Sequence, residues 1–352
     1  MKTQISTGII GFGAAGQVFH APFIHYLAGF SLDKISTTNA QFISLAKNKY
    51  PLATIVANSE SIIEDASIDL VIIATPNVFH YPLAKNALLA GKHVIVEKPF
   101  TVSTEEADDL IRISKEKGLI LSVNHNRRWT GDFISVSKLL KEQTLGDISE
   151  FISHYDRFRP GLRPGAWREA DYKASGIFYD LCAHQIDQSL MLFGMPQSLN
   201  AFLDKQRPGV NAVDYFLLRL QYAHFSVCFH GGMLNKIPGP TIAIHGTKGS
   251  FVKFGMDVQE QQLKDGLLPN SEGWGVDPED AWGTLCVENE AGTSHYSRVH
   301  TANGCFEDYF MNVHAAIMGE TPLIVRPEEA RDVIKIIELG IKSAQEERTI
   351  YL

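Results

Sequence analysis

The chain of 352 residues is predicted to be an α/β protein in two parts. A doubly wound parallel sheet over residues 1–123 precedes an α+β domain with a large, mainly antiparallel sheet over residues 124–352. Three observations predict this. Short apolar runs alternate with segments of helical spacing through the first third of the chain. A glycine-rich turn stands between the first run and the first helical segment. Beyond about residue 124, strand-like stretches predominate and are divided by turn signals.

Residues 5–11 are an apolar run ending in glycine, and residues 17–28 then show helical spacing around an early Pro22. Strand-like runs follow at 32–36, 54–57, 69–74, 93–96 and 119–123, with helical stretches at 40–50, 78–90 and 104–117. Gly91 and Gly118 close the last two helices, where a left-handed residue is expected. Apolar runs without alternation belong to strands covered on both faces, as in a parallel sheet wound by helices. Further on, residues 150–155, 200–203, 215–222, 225–230 and 241–245 read as strands. Turn signals between them include Pro208-Gly209, Gly239-Pro240 and 246–249, which favours an antiparallel sheet. Helices are expected at 181–193 and 327–347.

Composition excludes several function classes. The formal charge of −8 leaves no basic footprint for nucleic acid. Cys182, Cys228, Cys286 and Cys305 form no C-x-x-C pair, so neither a disulfide framework nor a zinc knuckle is indicated. No stretch approaches the roughly 20 apolar residues that cross a bilayer, and the N-terminal residues lack a secretory pattern. A cytoplasmic location is expected.

Gly11-Phe12-Gly13-Ala14-Ala15-Gly16 fits G-x-G-x-x-G directly after a strand and at the opening of a helix, the context that makes this motif a dinucleotide site. Gly11 permits the tight turn, Gly13 lets backbone approach the pyrophosphate, and Gly16 allows close helix–strand packing. About 20 residues on, an acidic side chain would hold the ribose hydroxyls of NAD. Here the sequence is Ser36-Thr37-Thr38-Asn39, and Asp33 comes too early. Hydroxyls and amides can donate to a 2′-phosphate that a carboxylate would repel, so NADP is expected, with NAD as the alternative. No Arg adjoins Thr37 as a bidentate partner, leaving Lys34 or Lys47 as substitutes.

Glu97-Lys98-Pro99 follows the fifth strand, at the edge where doubly wound sheets hold ligands. Lys98 there can hydrogen-bond a substrate hydroxyl and stabilise developing alkoxide charge; it reads equally as a surface lysine in a turn. Asp180, His184 and Asp187 share one face of a predicted helix. An imidazole between carboxylates is a candidate general base. Asp180 reads also as a helix N-cap, and the three as metal ligands. No metal is expected, because Lys98 would crowd the site and no further ligand cluster is evident.

These motifs resemble the Gfo/Idh/MocA oxidoreductases, named for glucose–fructose oxidoreductase and inositol dehydrogenase, over essentially the whole chain. The likeness rests on the glycine loop, Ala74-Thr75-Pro76-Asn77 with His80, Glu97-Lys98-Pro99, and Asp180 with His184. Asn126-Arg127-Arg128-Trp129, Trp167-Arg168-Glu169, residues 186–194, 245–250 and 274–279 resemble the subgroup of NADP-dependent scyllo-inositol dehydrogenases.

The resemblance implies a Rossmann domain and a catalytic triad of Lys98, Asp180 and His184, with His184 as base. To the cofactor contacts expected from position, Gly11, Phe12, Gly13, Ala14, Ala15 and Gly16 with Thr37, Thr38 and Asn39, the resemblance adds Thr75, Pro76, Asn77, His80, Glu97, Lys98, Asn126, Trp167 and Arg168. Arg127, Arg128 and Trp129 would face cofactor or substrate, with Lys98, Asp180 and His184. Plain packing is the rival reading for Trp129 and Trp167. Cys182-Ala183 departs from the glycine and small residue usual between the Asp and His.

The expected reaction interconverts a secondary alcohol and a ketone on a cyclic polyol or sugar of inositol type. Two alternatives share the fold: a glycosidase that uses NAD(P) transiently, and a non-enzymatic NAD(P)-binding sensor. A homodimer or homotetramer is implied, formed through the open face of the second sheet, and the substrate depends on loops at 157–168 and 232–240.

Overall fold

The computed structural model describes residues 4–163, 165, 167–269, 271–289 and 291–352. Two compact units make up the chain. One comprises Met1–Asn126, Gln259–Trp274 and Cys305–Ile334; the other comprises Arg127–Val258, Gly275–Gly304 and Lys335–Leu352.

The first unit carries a six-stranded, wholly parallel sheet of β1 (Ile5–Ile10), β2 (Phe30–Ser36), β3 (Thr54–Val56), β4 (Leu70–Ile73), β5 (His93–Val96) and β6 (Leu121–Val123). Its order is β3-β2-β1-β4-β5-β6. Every residue of β1 and β4 is buried, which is why β4 reads as an unbroken apolar run and β1 keeps only the small polar side chains of Ser6 and Thr7. The strand order reverses between β1 and β4, the switch point where such sheets open a ligand crevice at their carboxyl ends. Gly11 and Thr75 lie at those two ends.

Helix ends follow their local chemistry. Ser103 Oγ accepts from the Glu106 amide to cap helix Thr104–Lys117, and Gly118 ends it at φ 63°. After the glycine loop comes a turn of π-helix, Gly16–His20, and then helix Ala21–Tyr26 with Pro22 in its first turn, where a missing amide costs nothing.

The later segments of this unit complete its core. Phe310, on helix Glu307–Ile317, stacks on Phe23 at 4.9 Å; Trp274 meets the same ring edge-on at 6.3 Å, and Phe306 meets Phe19 at 6.4 Å. The single division after residue 123 that the sequence pattern suggests therefore differs from the units observed. The chain leaves the first unit after Asn126 and returns to it twice, because aromatic residues far along the chain cover its helices.

The second unit holds nine strands: β7 (Ile148–His154), β8 (Ser198–Asp204), β9 (Tyr215–Gln221), β10 (Ser226–Gly232), β11 (Ile242–Gly246), β12 (Gly249–Lys253), β13 (Gly283–Glu288), β14 (Ser294–Val299) and β15 (Ile350–Tyr351). They run in the order β14-β13-β12-β11-β7-β10-β9-β8-β15. Only the β7–β10 pair is parallel. The expected fold class is thus found. One face buries Phe151, Phe216, Leu218, Leu220, Val227 and Phe229, with Phe178 edge-on to Phe216 at 5.6 Å. The opposite face leaves Leu217 and Phe202 exposed. Among the described residues, no helix is long and apolar enough to cross a membrane.

Candidate active site

The candidate residues of the first unit gather on three loops at the carboxyl edge of its sheet. Gly11 has φ 93°, and a Cβ there would lie 2.6 Å from the Ala74 carbonyl oxygen; one on Gly16 would lie 2.3 Å from the Gly11 oxygen. Both positions need glycine. A Cβ on Gly13 would meet nothing within 4 Å. The loop is therefore packed at its ends and open at its middle, the cradle a pyrophosphate needs against bare backbone. Phe12 turns inward, 2% exposed, to meet Tyr50 edge-on.

At the end of β2, Asn39 Oδ1 accepts from the amides of Gln41 and Phe42 at 2.9 and 3.2 Å and so caps helix Ala40–Lys49. Thr38 is exposed and Thr37 half-buried, and the helix has no acidic residue in its first turn. Asp33 faces back into the sheet, accepting from Ser6 and Ser31. Lys34, one of the two expected phosphate partners, is engaged elsewhere. It bonds Asp65 at 2.5 Å and the Ser61 carbonyl at 2.8 Å.

At the end of β4, Thr75 Oγ1 is buried with no partner among the described residues. Such an orphaned hydroxyl calls for a ligand or water. Asn77 is buried at the start of the turn Asn77–Phe79. His80, fully buried, has Nδ1 2.9 Å from the Pro99 oxygen and Nε2 3.0 Å from the Thr75 oxygen. It thereby ties the loop after β4 to the loop after β5. Burial pushes its pKa down, against the pull of those two carbonyls.

After β5, Glu97 Oε1 lies 2.7 Å from His20 Nε2 and accepts from Asn124 Nδ2 at 2.7 Å, while Oε2 accepts from the Lys98 amide at 3.1 Å. Burial alone would raise this carboxyl. The His20 and Asn124 hydrogen bonds and the nearby Lys98 charge outweigh it, bringing it down to about 2. Glu97 is thus an ionised brace within its unit. The Lys98–Pro99 bond is cis, and the Lys98 side chain is half-buried. Asn126 is buried at 7% exposure, where the unit ends.

In the second unit, a turn of π-helix, Phe178–Cys182, runs into helix Ala183–Phe193. Asp180 stands in the first turn, so it does not cap the helix, and His184 follows one turn later, 6% exposed. Asp187 has a partner that the helical spacing does not reveal. Its carboxylate takes both Nε and Nη2 of Arg128, at 2.9 and 2.6 Å, with both side chains almost fully buried. Arg128 is therefore braced by a buried ion pair within the second unit. Arg127 lies over the Tyr155 ring, 5.6 Å from its centre, and Trp129 is 8% exposed and packed. Cys182 is fully buried, and burial raises its thiol pKa well above the ordinary value, so it is unreactive.

Asp180 opens onto a cavity of about 100 Å³ that Trp167, Arg168 and a group of further arginines line. The Arg168 guanidinium lies over the Trp167 ring, 4.6 Å from its centre, and 3.3 Å from the Asp180 carboxylate. The sequence points to the 157–168 loop as a determinant of substrate and to Trp167 and Arg168 as cofactor contacts, but not to its arginines as one group around a cavity. The signal was present, since Arg157, Arg159, Arg163 and Arg168 fall within one short stretch.

A separate cluster corrects the expectation of no further ligand group. His154 and His230, opposite each other on β7 and β10, direct Nδ1 at Asp156 at 3.2 and 2.7 Å. The three ligand atoms lie within 4.8 Å of one another, a set able to hold a metal. The Gly239 amide also donates to Asp156 at 3.0 Å, a third hydrogen bond on this carboxylate.

Two family models match the chain. An oxidoreductase-family NAD-binding Rossmann fold covers residues 5–125, and the C-terminal alpha/beta domain of the same family covers residues 137–352. The chain belongs to the Gfo/Idh/MocA oxidoreductase family. Several relatives match end to end. Scyllo-inositol 2-dehydrogenase (NADP(+)) IolW of Bacillus subtilis is 38% identical over 99% of this chain and 96% of its own. The uncharacterized oxidoreductase YdgJ of Escherichia coli is 41% identical over the full length of both chains. Among solved structures, yvaA from Bacillus subtilis superposes with a TM-score of 0.95 at 38% identity, covering 100% of this chain and 99% of its own. YPO2259 from Yersinia pestis gives 0.93 at 38% identity, covering 100% and 98%. The chain is an oxidoreductase with an NAD(P)-binding Rossmann domain.

Proposed function

We propose that the protein catalyses NADP-linked interconversion of a secondary alcohol and a ketone on a cyclic polyol or sugar. The observation that carries this reading is the pairing on one helical segment of Asp180, whose carboxylate opens onto a cavity, with His184, buried one turn further on. End-to-end likeness to an NADP-dependent scyllo-inositol dehydrogenase supports it.

The roles follow from the chemistry of each group. The nicotinamide supplies the hydride acceptor, which is the cofactor's own chemistry. Lys98 donates a hydrogen bond to the reacting hydroxyl and stabilises the oxygen as negative charge develops there. His184 takes the hydroxyl proton, so the alcohol carbon loses hydride and its oxygen loses a proton to leave the ketone. Asp180 holds the positive imidazolium that results. The open backbone at Gly13 and the orphaned Thr75 hydroxyl are the features on the first unit that a dinucleotide would occupy.

NADP is preferred over NAD on this reading because no carboxylate stands at residues 36–39. The Thr37 and Thr38 hydroxyls and the Asn39 amide, together with Lys47, would meet the 2′-phosphate. Thr37→Asp tests this: NADP affinity should fall about tenfold or more while NAD binding holds or improves. An unchanged NADP preference would remove this region from cofactor selection. A homo-oligomer formed through the sheet face that exposes Leu217 and Phe202 completes the reading, and light scattering would read its size.

A further inference from the structure

The cavity beside Asp180 carries more positive charge than its own carboxylates answer. Five guanidinium groups line it, from Arg157, Arg159, Arg163, Arg168 and Arg207, against the carboxylates of Glu169, Asp180 and Asp214. Two of those carboxylates are already committed. Arg207, buried with Asp214, bonds it at 2.8 Å and Glu169 at 3.2 Å, and it donates to the Arg159 carbonyl at 3.0 Å. Asp214 accepts as well from the amides of Gln206 and Arg207, and Glu169 from the amide of Arg163 at 2.7 Å. The third carboxylate, Asp180, is shared with Arg168.

Arg159 and Arg163 are left over. Neither guanidinium makes a hydrogen bond or ion pair among the described residues. The backbone holds Arg159 in place, since its amide donates to the Met233 carbonyl at 2.7 Å and the Arg157 amide donates to Gly232 at 2.9 Å. In such an extended stretch alternate residues share a face. Arg157 and Arg159 therefore line the cavity while Phe158 between them is half exposed. Burial and the like charges of Arg157 and Arg163 push the Arg159 guanidinium below its ordinary pKa. A protein with a formal charge of −8 has gathered these cations at one cavity. Uncommitted guanidinium groups gathered at one cavity are the pattern that recognises an oxyanion through bidentate hydrogen bonds.

We infer that the substrate carries an oxyanion substituent, a carboxylate or a phosphate, which Arg159 and Arg163 bind beside Asp180. This rests on the proposed dehydrogenase reading and narrows its substrate from polyols in general to sugar acids or sugar phosphates. The committed pairs of Arg207 then serve to position the array, and Arg159 and Arg163 set specificity.

Binding and turnover measured separately test it. Calorimetry on the full chain, with and without saturating NADP, would compare glucose, glucuronate, glucose 6-phosphate, inorganic phosphate and sulfate. At least one oxyanion should bind in a way that Arg159→Gln weakens about ten- to a hundredfold, with NADP affinity unchanged. Glucuronate against glucose 6-phosphate tells which oxyanion is preferred. Arg163→Gln, at an exposed position, should weaken the same ligand without a risk to folding, and Arg159→Lys should restore part of the affinity. The inference is overturned if no oxyanion binds in an Arg159-dependent way, if glucose binds as well as its charged counterparts, or if Arg159→Gln weakens NADP instead. Nicotinamide absorbance reads the dehydrogenase separately. A charged sugar that binds through Arg159 but is never oxidised would retain the oxyanion site and remove the proposed reaction.

Discussion

Replacing Gly13 and Gly16 by alanine should produce opposite defects, although both glycines belong to one loop. A methyl on Gly16 would sit 2.3 Å from the Gly11 carbonyl oxygen, a backbone atom that moves only if β1 or the following helix moves. Overpacking of that kind costs about 1–3 kcal/mol. Gly13 is different. Its Cβ would meet nothing within 4 Å, and its φ is not in the left-handed region, so Gly13→Ala should unfold within about 0.5 kcal/mol of wild type. What the methyl would fill is the space into which a pyrophosphate approaches. NADP affinity should fall about ten- to a hundredfold, which is about 1.4–2.8 kcal/mol. Urea titration and NADP binding followed by fluorescence on both variants separate the two effects. A Gly13→Ala protein that binds NADP as wild type does, or a Gly16→Ala protein of unchanged stability, would refute the division of the loop into packed ends and an open middle.

The Arg128–Asp187 pair makes a second prediction. Arg128→Met leaves a buried carboxylate uncompensated and should cost about 3–5 kcal/mol in urea unfolding, and Arg128→Met combined with Asp187→Leu should recover most of it. Unchanged stability with a raised KM would instead make Arg128 a ligand contact. Glu97 predicts a third outcome. Its folded-state pKa of about 2 lies below the ordinary 4.5, so its stabilisation is complete above pH 4.5 and is lost as pH falls towards 2. Glu97→Gln should flatten the loss of urea midpoint below pH 4.5; a slope identical to wild type would contradict the brace. His80 is held below 6.5 by burial, so the unfolded chain takes its proton first and stability should begin to fall as pH drops through 6.5. His80→Gln should remove that part of the fall.

Much of the first unit was legible because its signals are local. The strand His93–Val96 and the helix Thr104–Lys117 fall where the apolar run, the helical spacing and Gly118 place them. Strands β12 to β14 and helix Glu307–Ile317 were not read. β14 has no buried residue, so no alternation marks it, and the helix takes its apolar face from partners such as Phe23, nearly 300 positions earlier. The same limit governs the site. The glycine loop announces itself because six neighbours carry the whole signal. Helix spacing makes Asp187 visible on the face of His184, whereas its partner Arg128 is 59 positions away. Lys34 likewise looked available until Asp65, from another loop, claimed it. The arginine array is partly local, but only the structure shows that Asp214 and Glu169 are spent on Arg207 and leave Arg159 and Arg163 over.

The measurement closest to the central claim is absorbance at the nicotinamide band with purified protein, NADP or NAD, and a panel of inositols, aldoses and their charged derivatives, run beside Lys98→Ala. Reduction of NADP with one member of the panel, lost in the variant by a factor of about a thousand while NADP still binds, is the predicted result. Tight NADP binding with no reduction anywhere in the panel, or a Lys98→Ala enzyme as fast as wild type, would contradict it.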